Sequence, residues 1–145
     1  MSEAKIVFEH IHIISEDPKS AAAWYVKMLG GKIAGESQTR GAVNISVALQ
    51  GVNILIRGKR PGEEPGRKNS LQYYNEPAPY VSHNQWGTDH FGFVVQGNLD
   101  EFAAKLKEKG AVFSVEPYDF LPGSRISYLK APDNVTIEMV LARQR

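Results

Sequence analysis

The chain of 145 residues has the same order of predicted elements in its two halves, at a spacing of 80 residues. This shift aligns His10 with His90 and Gly30 with Gly110, and the residues within each half between these positions have the composition and end signals of a helix. A repeat of this length predicts two similar structural units, because a module that repeats in sequence repeats its fold. The internal duplication therefore constrains the fold more than any single motif does.

Each half has the pattern of one strand, one helix and three further strands. In the first half, the strand KIVFEHIHII precedes a helix that we predict at Pro18–Leu29, between a capping signal and two glycines. In the second half, the strand TDHFGFVVQG precedes the helix NLDEFAAKLKEKG, which Asn98 caps. The predicted fold class is α+β, with two βαβββ modules forming a curved mixed sheet around a metal-binding cavity. We expect a single domain with module 1 at about residues 5–58, a loop at 59–87 and module 2 at about 88–143.

The composition excludes several classes of function. Seventeen Lys and Arg against sixteen Asp and Glu leave a net charge of +1 with the two signs interspersed, so nucleic acid is not an expected partner. The chain has no cysteine, so any metal must be held by His, Asp, Glu or water. No apolar run approaches the roughly 18 residues of a membrane span, and the N-terminus lacks the apolar region of a signal peptide. We therefore expect a cytoplasmic protein with no membrane partner.

Two histidines at equivalent positions of the repeat indicate a shared site. If a pseudo-twofold axis relates the modules, their first strands face each other, and His10 faces His90. A lone strand histidine is more often a half-buried residue bonded to backbone, but that explanation gives no reason for two at matching positions. In the last strand, Glu138 points away from the apolar Ile137 and Met139, and a half-buried carboxylate needs a partner.

His10, His90 and Glu138 would together form a facial triad of two imidazoles and one carboxylate. Such a set suits a divalent metal and leaves coordination positions open for a substrate. The residue of module 1 that matches Glu138 is Leu55, which cannot bind a metal. We therefore expect no fourth protein ligand.

The segment EHIHIISEDPKSAAAWYVKMLGG resembles the first module of the vicinal oxygen chelate superfamily, with a strand histidine, Asp17 seven residues on, the pair Trp24 and Tyr25, and then a leucine and a glycine. The segments DHFGFVV, KEKGA and SYLKAPDNVTIEMV resemble its closing signature. This superfamily contains glyoxalase I, methylmalonyl-CoA epimerase, extradiol dioxygenases, fosfomycin-resistance transferases and bleomycin-resistance proteins. The resemblance covers nearly the whole chain apart from residues 59–87. It implies a glyoxalase-like fold and metal ligands at His10, His90 and Glu138.

The resemblance also implies a type of reaction. Extradiol dioxygenases are similar in holding Fe(II) with two first-strand histidines and one glutamate, and in having a tyrosine ten residues before that glutamate, here Tyr128. Their acid–base histidine has no clear counterpart, and His83 is the candidate substitute. The resemblance therefore implies Glu138 and Tyr128 as catalytic residues, and we predict His83 as the third in place of the missing histidine. It implies a divalent metal as cofactor, with Fe(II) favoured and Zn, Ni, Co or Mn as alternatives.

Five further residues are candidate substrate contacts. His12 and Arg57 follow the ligand positions along their strands by period-2 alternation, so both should face the cavity. Tyr74 and Trp86 belong to an aromatic, amide-rich loop that suits the cover of a ring-like ligand. Arg125 lies in the region where extradiol dioxygenases have their acid–base histidine. The structural alternatives are a core histidine for His12, a solvated strand end for Arg57 and an ordinary surface loop.

The sequence is consistent with three functions. The leading one is a metal-dependent enzyme that chelates adjacent oxygens of a small-molecule substrate, and the ligand set favours extradiol-type cleavage. The second is a glyoxalase-like lyase or an epimerase or isomerase, which consumes no oxygen. The third is a drug-sequestering binding protein, against which the retained triad argues. Because superfamily members built from one pair of modules commonly dimerise, the resemblance also implies a homodimer.

Overall fold

The protein was studied as a computed structural model that describes residues 9–63, 65 and 90–142. The chain divides into two compact units, with the boundary between Pro65 and Gly66. Within the described part of the chain, neither helix is both long and apolar enough to cross a membrane. The elements in chain order are β1 (His10–Ser15), α1 (Pro18–Leu29), β2 (Lys32–Thr39), β3 (Ala42–Leu49), β4 (Val52–Gly58), β5 (Phe91–Val95), α2 (Leu99–Glu108), β6 (Val112–Leu121), β7 (Ser124–Lys130), a short 3₁₀ turn (Pro132–Asn134) and β8 (Thr136–Leu141).

Unit 1 is a four-stranded mixed sheet with α1 packed on one face. The strand order is β1-β4-β3-β2, with β1 parallel to β4 and the other pairs antiparallel. The side chains of Val47, Ile54 and Ile56 are fully buried, and Tyr25 of α1 is 1% exposed. Since side chains alternate along a strand, the opposite face of the sheet carries the residues between these apolar ones.

Unit 2 repeats this arrangement with strand order β5-β8-β7-β6, and β5 is parallel to β8. Its core consists of apolar side chains from the sheet and from α2, namely Leu99, Leu106, Leu129, Ile137 and Met139, each at most 2% exposed. The predicted α+β fold of two βαβββ modules is confirmed, and each module forms its own mixed sheet.

The helix boundaries follow the predicted capping signals. The carboxylate of Asp17 accepts a hydrogen bond from the Ser20 amide at 3.1 Å, and Pro18 occupies the first turn, where its missing N–H is not needed. Asn98 Oδ1 caps α2 by accepting from the Glu101 amide at 3.0 Å. Gly30 adopts a left-handed conformation with φ of 74°, which ends α1 at the predicted residue.

Leu129→Ala should destabilise the fold by about 2–5 kcal/mol, because the removed side chain leaves a cavity in a closely packed core. Leu129 is fully buried on β7. Leu121, at the end of β6, is 53% exposed and is the matched control, so Leu121→Ala should change stability by less than about 0.5 kcal/mol. Urea denaturation followed by circular dichroism measures both, and equal losses for the two variants would contradict the packing described here.

Candidate metal centre

Glu138 lies at the centre of the unit 2 sheet, on the face opposite α2. It pairs with Gly92 on β5 and with Tyr128 on β7. Its neighbours Ile137 and Met139 are buried on the helix side, as the alternation of the sequence predicted. Strand pairing therefore places the carboxylate beside the first strand of the module, where His90 immediately precedes β5.

The three predicted residues of unit 2 come together at this carboxylate. His90 Nε2 lies 3.2 Å from Glu138 Oε2, and the Tyr128 hydroxyl donates to Glu138 Oε1 at 3.4 Å. The rings of His90 and Tyr128 meet edge to face, with their centroids 5.5 Å apart. The side chains of His90 and Glu138 are 23% and 22% exposed, so a ligand can still reach them.

The separation of His90 and Glu138 fits two ligands of one divalent ion. An ion bound to both atoms at about 2.1 Å, with an angle of about 90° to 110° between the bonds, holds its ligands about 3.0 to 3.4 Å apart. The observed 3.2 Å lies within this range. As far as the described residues go, neither unit by itself gathers three His, Asp or Glu side chains that could hold a metal. A metal ion bound by this pair would need a further ligand.

A cavity of about 470 Å³ opens beside the pair within unit 2. Besides His90, Tyr128 and Glu138, its wall is mostly apolar and consists of Tyr118, Phe120, Ser124, Ile126, Val140 and Leu141. A site with convergent polar groups at one end and an apolar wall suits a small ring-shaped or branched substrate.

Irregular pairing of β6 brings the aromatic part of this wall into place. Val115 and Tyr118, three residues apart, pair with Tyr128 and Ile126, which are two apart. The register shift breaks the alternation of the strand. Tyr118 and Phe120 are for this reason not among the residues predicted from the sequence, since nothing in the local pattern shows which aromatic residues of β6 face the cavity.

Gly92 makes room for Glu138. A Cβ atom at this position would lie 2.8 Å from the Glu138 carbonyl oxygen and 3.1 Å from its Cβ, so a larger residue would push the two strands apart. In unit 1 the corresponding pair is His12 with Leu55, which confirms the predicted equivalence of Leu55 and Glu138. The two modules thus share a register but not the acidic ligand.

His10 lies on the face of the unit 1 sheet opposite α1, where it pairs with Asn53. Its Nδ1 contacts the carboxylate of Glu9. A contact of this type at Nδ1 fixes the orientation of a histidine ring and leaves Nε2 as the atom that can bind a metal. The predicted role of His10 as a ligand beside His90 and Glu138 stays a prediction, since each unit is described by itself.

His12 lies two residues further along the same face and pairs with Leu55. Partial burial lowers the pKa of His12 below its usual value of 6.5, and the positive charges of Arg57 and Arg60 lower it further. This shift favours the neutral imidazole, the form in which one ring nitrogen accepts a proton or a hydrogen bond.

Arg57 is a buried charge on the same face, only 6% exposed. Its Nη1 donates to Glu63 Oε2 at 2.6 Å and to the Gly58 carbonyl at 3.1 Å. Glu63 also accepts from the Arg60 amide at 3.0 Å. The hydrogen bond from Arg57, followed by that from Arg60, lowers the pKa of the Glu63 carboxyl. The sequence predicted that Arg57 faces this side, but nothing in the loop sequence identified Glu63 as its partner.

Arg125 lies on the opposite face of β7 from the cavity. Its Nε and Nη2 bind the two carboxylate oxygens of Asp100 at 2.7 Å, and Nη1 donates to Asp119 at 3.1 Å. These contacts lower the pKa of the Asp100 carboxyl and connect the start of α2 to the sheet. The structure therefore places Arg125 away from the unit 2 cavity. The predicted contacts Tyr74, His83 and Trp86 lie outside the described residues.

Gly92→Ala should lower the free energy of unfolding by about 1–3 kcal/mol and displace Glu138 from His90, because the added methyl group meets backbone that cannot move freely. Gly35→Ala is the matched control, since a Cβ atom on this strand glycine would meet no atom within 4 Å. Thermal unfolding measures the first effect, and the histidine NMR signals report the second. A Gly92→Ala protein as stable as Gly35→Ala would contradict the close approach of β5 and β8.

A family model described as Glyoxalase/Bleomycin resistance protein/Dioxygenase superfamily matches residues 7–139. Among curated proteins, the Uncharacterized protein YwkD of Bacillus subtilis (strain 168) is 26% identical over 132 residues, which cover 90% of this chain and 92% of that protein.

Solved structures with the same fold include two informative relatives. A glyoxylase/bleomycin resistance protein/dioxygenase domain from Frankia sp. EAN1pec is 22% identical with a TM-score of 0.69, and the match covers 99% of this chain and 95% of that chain. A variant of the fosfomycin resistance protein FosX from Listeria monocytogenes, complexed with Mn(II) and 1S,2S-dihydroxypropylphosphonic acid, is 17% identical with a TM-score of 0.64, covering 94% and 90%. At these identities the structures show a common fold. Together with the family match over most of its length, they establish that the chain belongs to the Glyoxalase/Bleomycin resistance protein/Dioxygenase superfamily.

Proposed function

We propose that this protein is a divalent-metal-dependent enzyme that chelates two adjacent oxygens of a small substrate, with extradiol-type ring cleavage as its reaction. The observation that carries the proposal is the group formed by His90, Glu138 and Tyr128. The imidazole lies 3.2 Å from one carboxylate oxygen, and the hydroxyl donates to the other. A carboxylate and an imidazole at this distance are a pair of metal ligands with an open side.

His90, Glu138 and, as third ligand, His10 would hold the metal. When bound, an ion with this ligand set polarises the two substrate oxygens as a Lewis acid, and Fe(II) also supplies redox chemistry. Tyr128 fixes the carboxylate, because its hydroxyl engages Oε1 and leaves Oε2 directed to His90. The Glu9 carboxylate has the same orienting role at Nδ1 of His10.

The cavity supports a ring-shaped substrate for this reaction. Phe120, Ile126, Val140 and Leu141 contribute apolar wall next to the ligand pair, which favours a flat apolar ring and excludes water from it. The Tyr128 hydroxyl lies at the edge of the same cavity, where it can hold a proton for a substrate oxygen. His83 remains our proposal for the acid–base residue of ring cleavage.

A glyoxalase-like lyase or an epimerase is the second candidate function. The observation that favours it is His12, because a neutral imidazole on the face that carries His10 can remove a proton next to a carbonyl. FosX, which shares the fold, was solved with Mn(II), and this supports a metal other than iron. A binding protein without chemistry is the third candidate, which requires no metal.

Replacing His10, His90 or Glu138 with Ala should abolish binding of one metal ion per chain, because each removes one of three ligands. His12→Ala is the matched control, since it removes an imidazole from the same strand and face as His10 and should leave metal content unchanged. Elemental analysis after anaerobic purification measures the content. Full occupancy in any of the three ligand variants would remove that residue from the site, and loss of metal in His12→Ala would identify His12 as the ligand in place of His10.

The anaerobically purified wild-type protein should contain iron and should consume oxygen when it is mixed with catechols. Oxygen uptake and the appearance of the yellow ring-cleavage product are the two measurements. Tyr128→Phe should lower kcat by about 10-fold or more without loss of iron, because the variant keeps the ligands but loses the hydroxyl. Zinc, nickel, cobalt or manganese without oxygen uptake, together with turnover of a 1,2-dicarbonyl adduct, would favour the lyase or epimerase instead. Absence of any metal would leave the binding protein.

A further inference from the structure

The face of unit 1 opposite α1 is unusually polar for the middle of a sheet. We call it the polar face, and it carries His10, His12, Asn44, Ser46, Asn53 and Arg57 on adjacent strands. The equivalent face of unit 2 is lined mainly by aromatic and aliphatic side chains. A polar surface of this extent, next to a predicted metal ligand, suits the polar part of a substrate.

Two buried polar groups on the polar face have no hydrogen-bond partner among the described residues. They are Nε of Arg57 and Oδ1 of Asn53. Both side chains point from β4 to the same side, with Leu55 between them. Buried polar atoms without partners are rare, and each calls for an explanation such as a ligand that is bound in the working protein. The Asn53 amide can turn by 180° and present Nδ2–H as a donor in place of Oδ1.

Among the described residues, the positive charges around Arg57 outnumber the negative ones. The guanidinium groups of Arg57 and Arg60 share one carboxylate, that of Glu63, whose nearest approach to Arg60 Nη1 is 3.7 Å. Nη1 of Arg57 makes both the bond to Glu63 and the bond to Gly58, and the buried Nε has no acceptor in the part of the chain that the structure describes. A guanidinium binds carboxylates best through two parallel N–H groups, so Arg57 retains capacity for a second carboxylate.

Glu63 shows what kind of group the Arg57 guanidinium binds. Its carboxylate lies 2.6 Å from Nη1, while its side chain remains 31% exposed. An incoming carboxylate can therefore bind beside Glu63 or displace it toward solvent. A planar anion of the same chemistry is the natural ligand for the remaining N–H groups.

The distance from His10 to Arg57 suits a single small molecule. Arg57 pairs with Ile14, which lies four residues after His10 on β1. At about 3.3 Å per residue along the strand and about 4.8 Å between strands, the Cα atoms of His10 and Arg57 are about 14 Å apart, which leaves room for a small molecule between the two side chains. A ligand of the size of a substituted benzoate spans that gap.

We propose that Arg57, with the Asn53 amide beside it, forms a subsite that binds a carboxylate of the substrate, and that Glu63 is a built-in competitor for this subsite. The substrate class is then a small carboxylic acid with two adjacent oxygens at its other end. The assignment of both groups to one substrate rests on the proposed function. The carboxylate subsite itself rests only on unit 1.

The test uses three probes that separate the two ideas: benzoate has the carboxylate alone, catechol has the adjacent oxygens alone, and 3,4-dihydroxybenzoate has both. Binding to the full chain is measured by NMR titration and calorimetry under anaerobic conditions, with and without Fe(II). We expect benzoate to bind with a Kd in the millimolar range or tighter without metal, because a single charge-assisted contact gives affinity of about that order. Catechol should need the metal, and 3,4-dihydroxybenzoate should bind more tightly than either.

Arg57→Gln should weaken benzoate binding by about tenfold or more, since it removes the charge and the planar fork, and should leave catechol binding to the Fe(II)-loaded protein unchanged. Arg40→Gln is the matched control, because this arginine lies exposed in the turn between β2 and β3 and should bind benzoate like the wild type. If Arg57→Gln does not fold, Glu63→Gln decides, and it should tighten benzoate binding by a few fold by removing the competing charge.

Benzoate affinity that is equal in wild type and Arg57→Gln, or absent in the wild type, would overturn the subsite. Benzoate affinity unchanged or weakened in Glu63→Gln would overturn the competitor role. Failure of the proposed function has a different signature: catechol fails to bind with Fe(II), while benzoate still binds in an Arg57-dependent manner. That result would retain the carboxylate subsite and redirect the search to acids without adjacent oxygens.

Discussion

The register between β5 and β8 is the constraint on which the rest of the candidate site depends. It places Glu138 opposite Gly92 and beside His90, while the neighbouring Ile137 and Met139 are buried on the helix side. A slip of one residue would put these two apolar side chains into the cavity and the carboxylate into the core. Burial of apolar surface against α2 therefore holds Glu138 in place beside His90. The same strand therefore contributes both to the stability of the core and to the geometry of the candidate site.

The two modules share this register but carry different side chains at the equivalent positions. In unit 2 the pair Gly92 and Glu138 leaves space for a carboxylate, whereas unit 1 has His12 and Leu55 at the same place. Unit 1 thus offers no acidic ligand from its last strand, and its polar face carries Arg57 instead, held by Glu63. Unit 2 has an apolar cavity beside His90 and Glu138, and unit 1 has His10 and the charged Arg57 on its polar face.

The alternation of side chains along the strands explains most of the agreement between prediction and structure. It also explains why Arg125 lies on the face opposite the unit 2 cavity. The sequence predicted that Glu138 lies opposite its buried strand neighbours and that Arg57 shares a face with Leu55, and the strand register has both arrangements. The same rule counted from Tyr128 puts Arg125 on the other face, where it binds Asp100 and Asp119. The resemblance to a family suggested a substrate contact for a residue that alternation alone assigns to the helix side.

The sequence by itself determined the two βαβββ modules, the helix ends and the residues that share each strand face, because these depend on local periodicity and on capping side chains. Only the tertiary structure decided the strand order, the 3.2 Å approach of His90 to Glu138, and the pairing of Arg57 with Glu63. It also decided which aromatic residues of β6 reach the cavity, through the register shift between Val115 and Tyr118. These features arise between segments far apart in the chain or from irregular pairing, so no local pattern contains them.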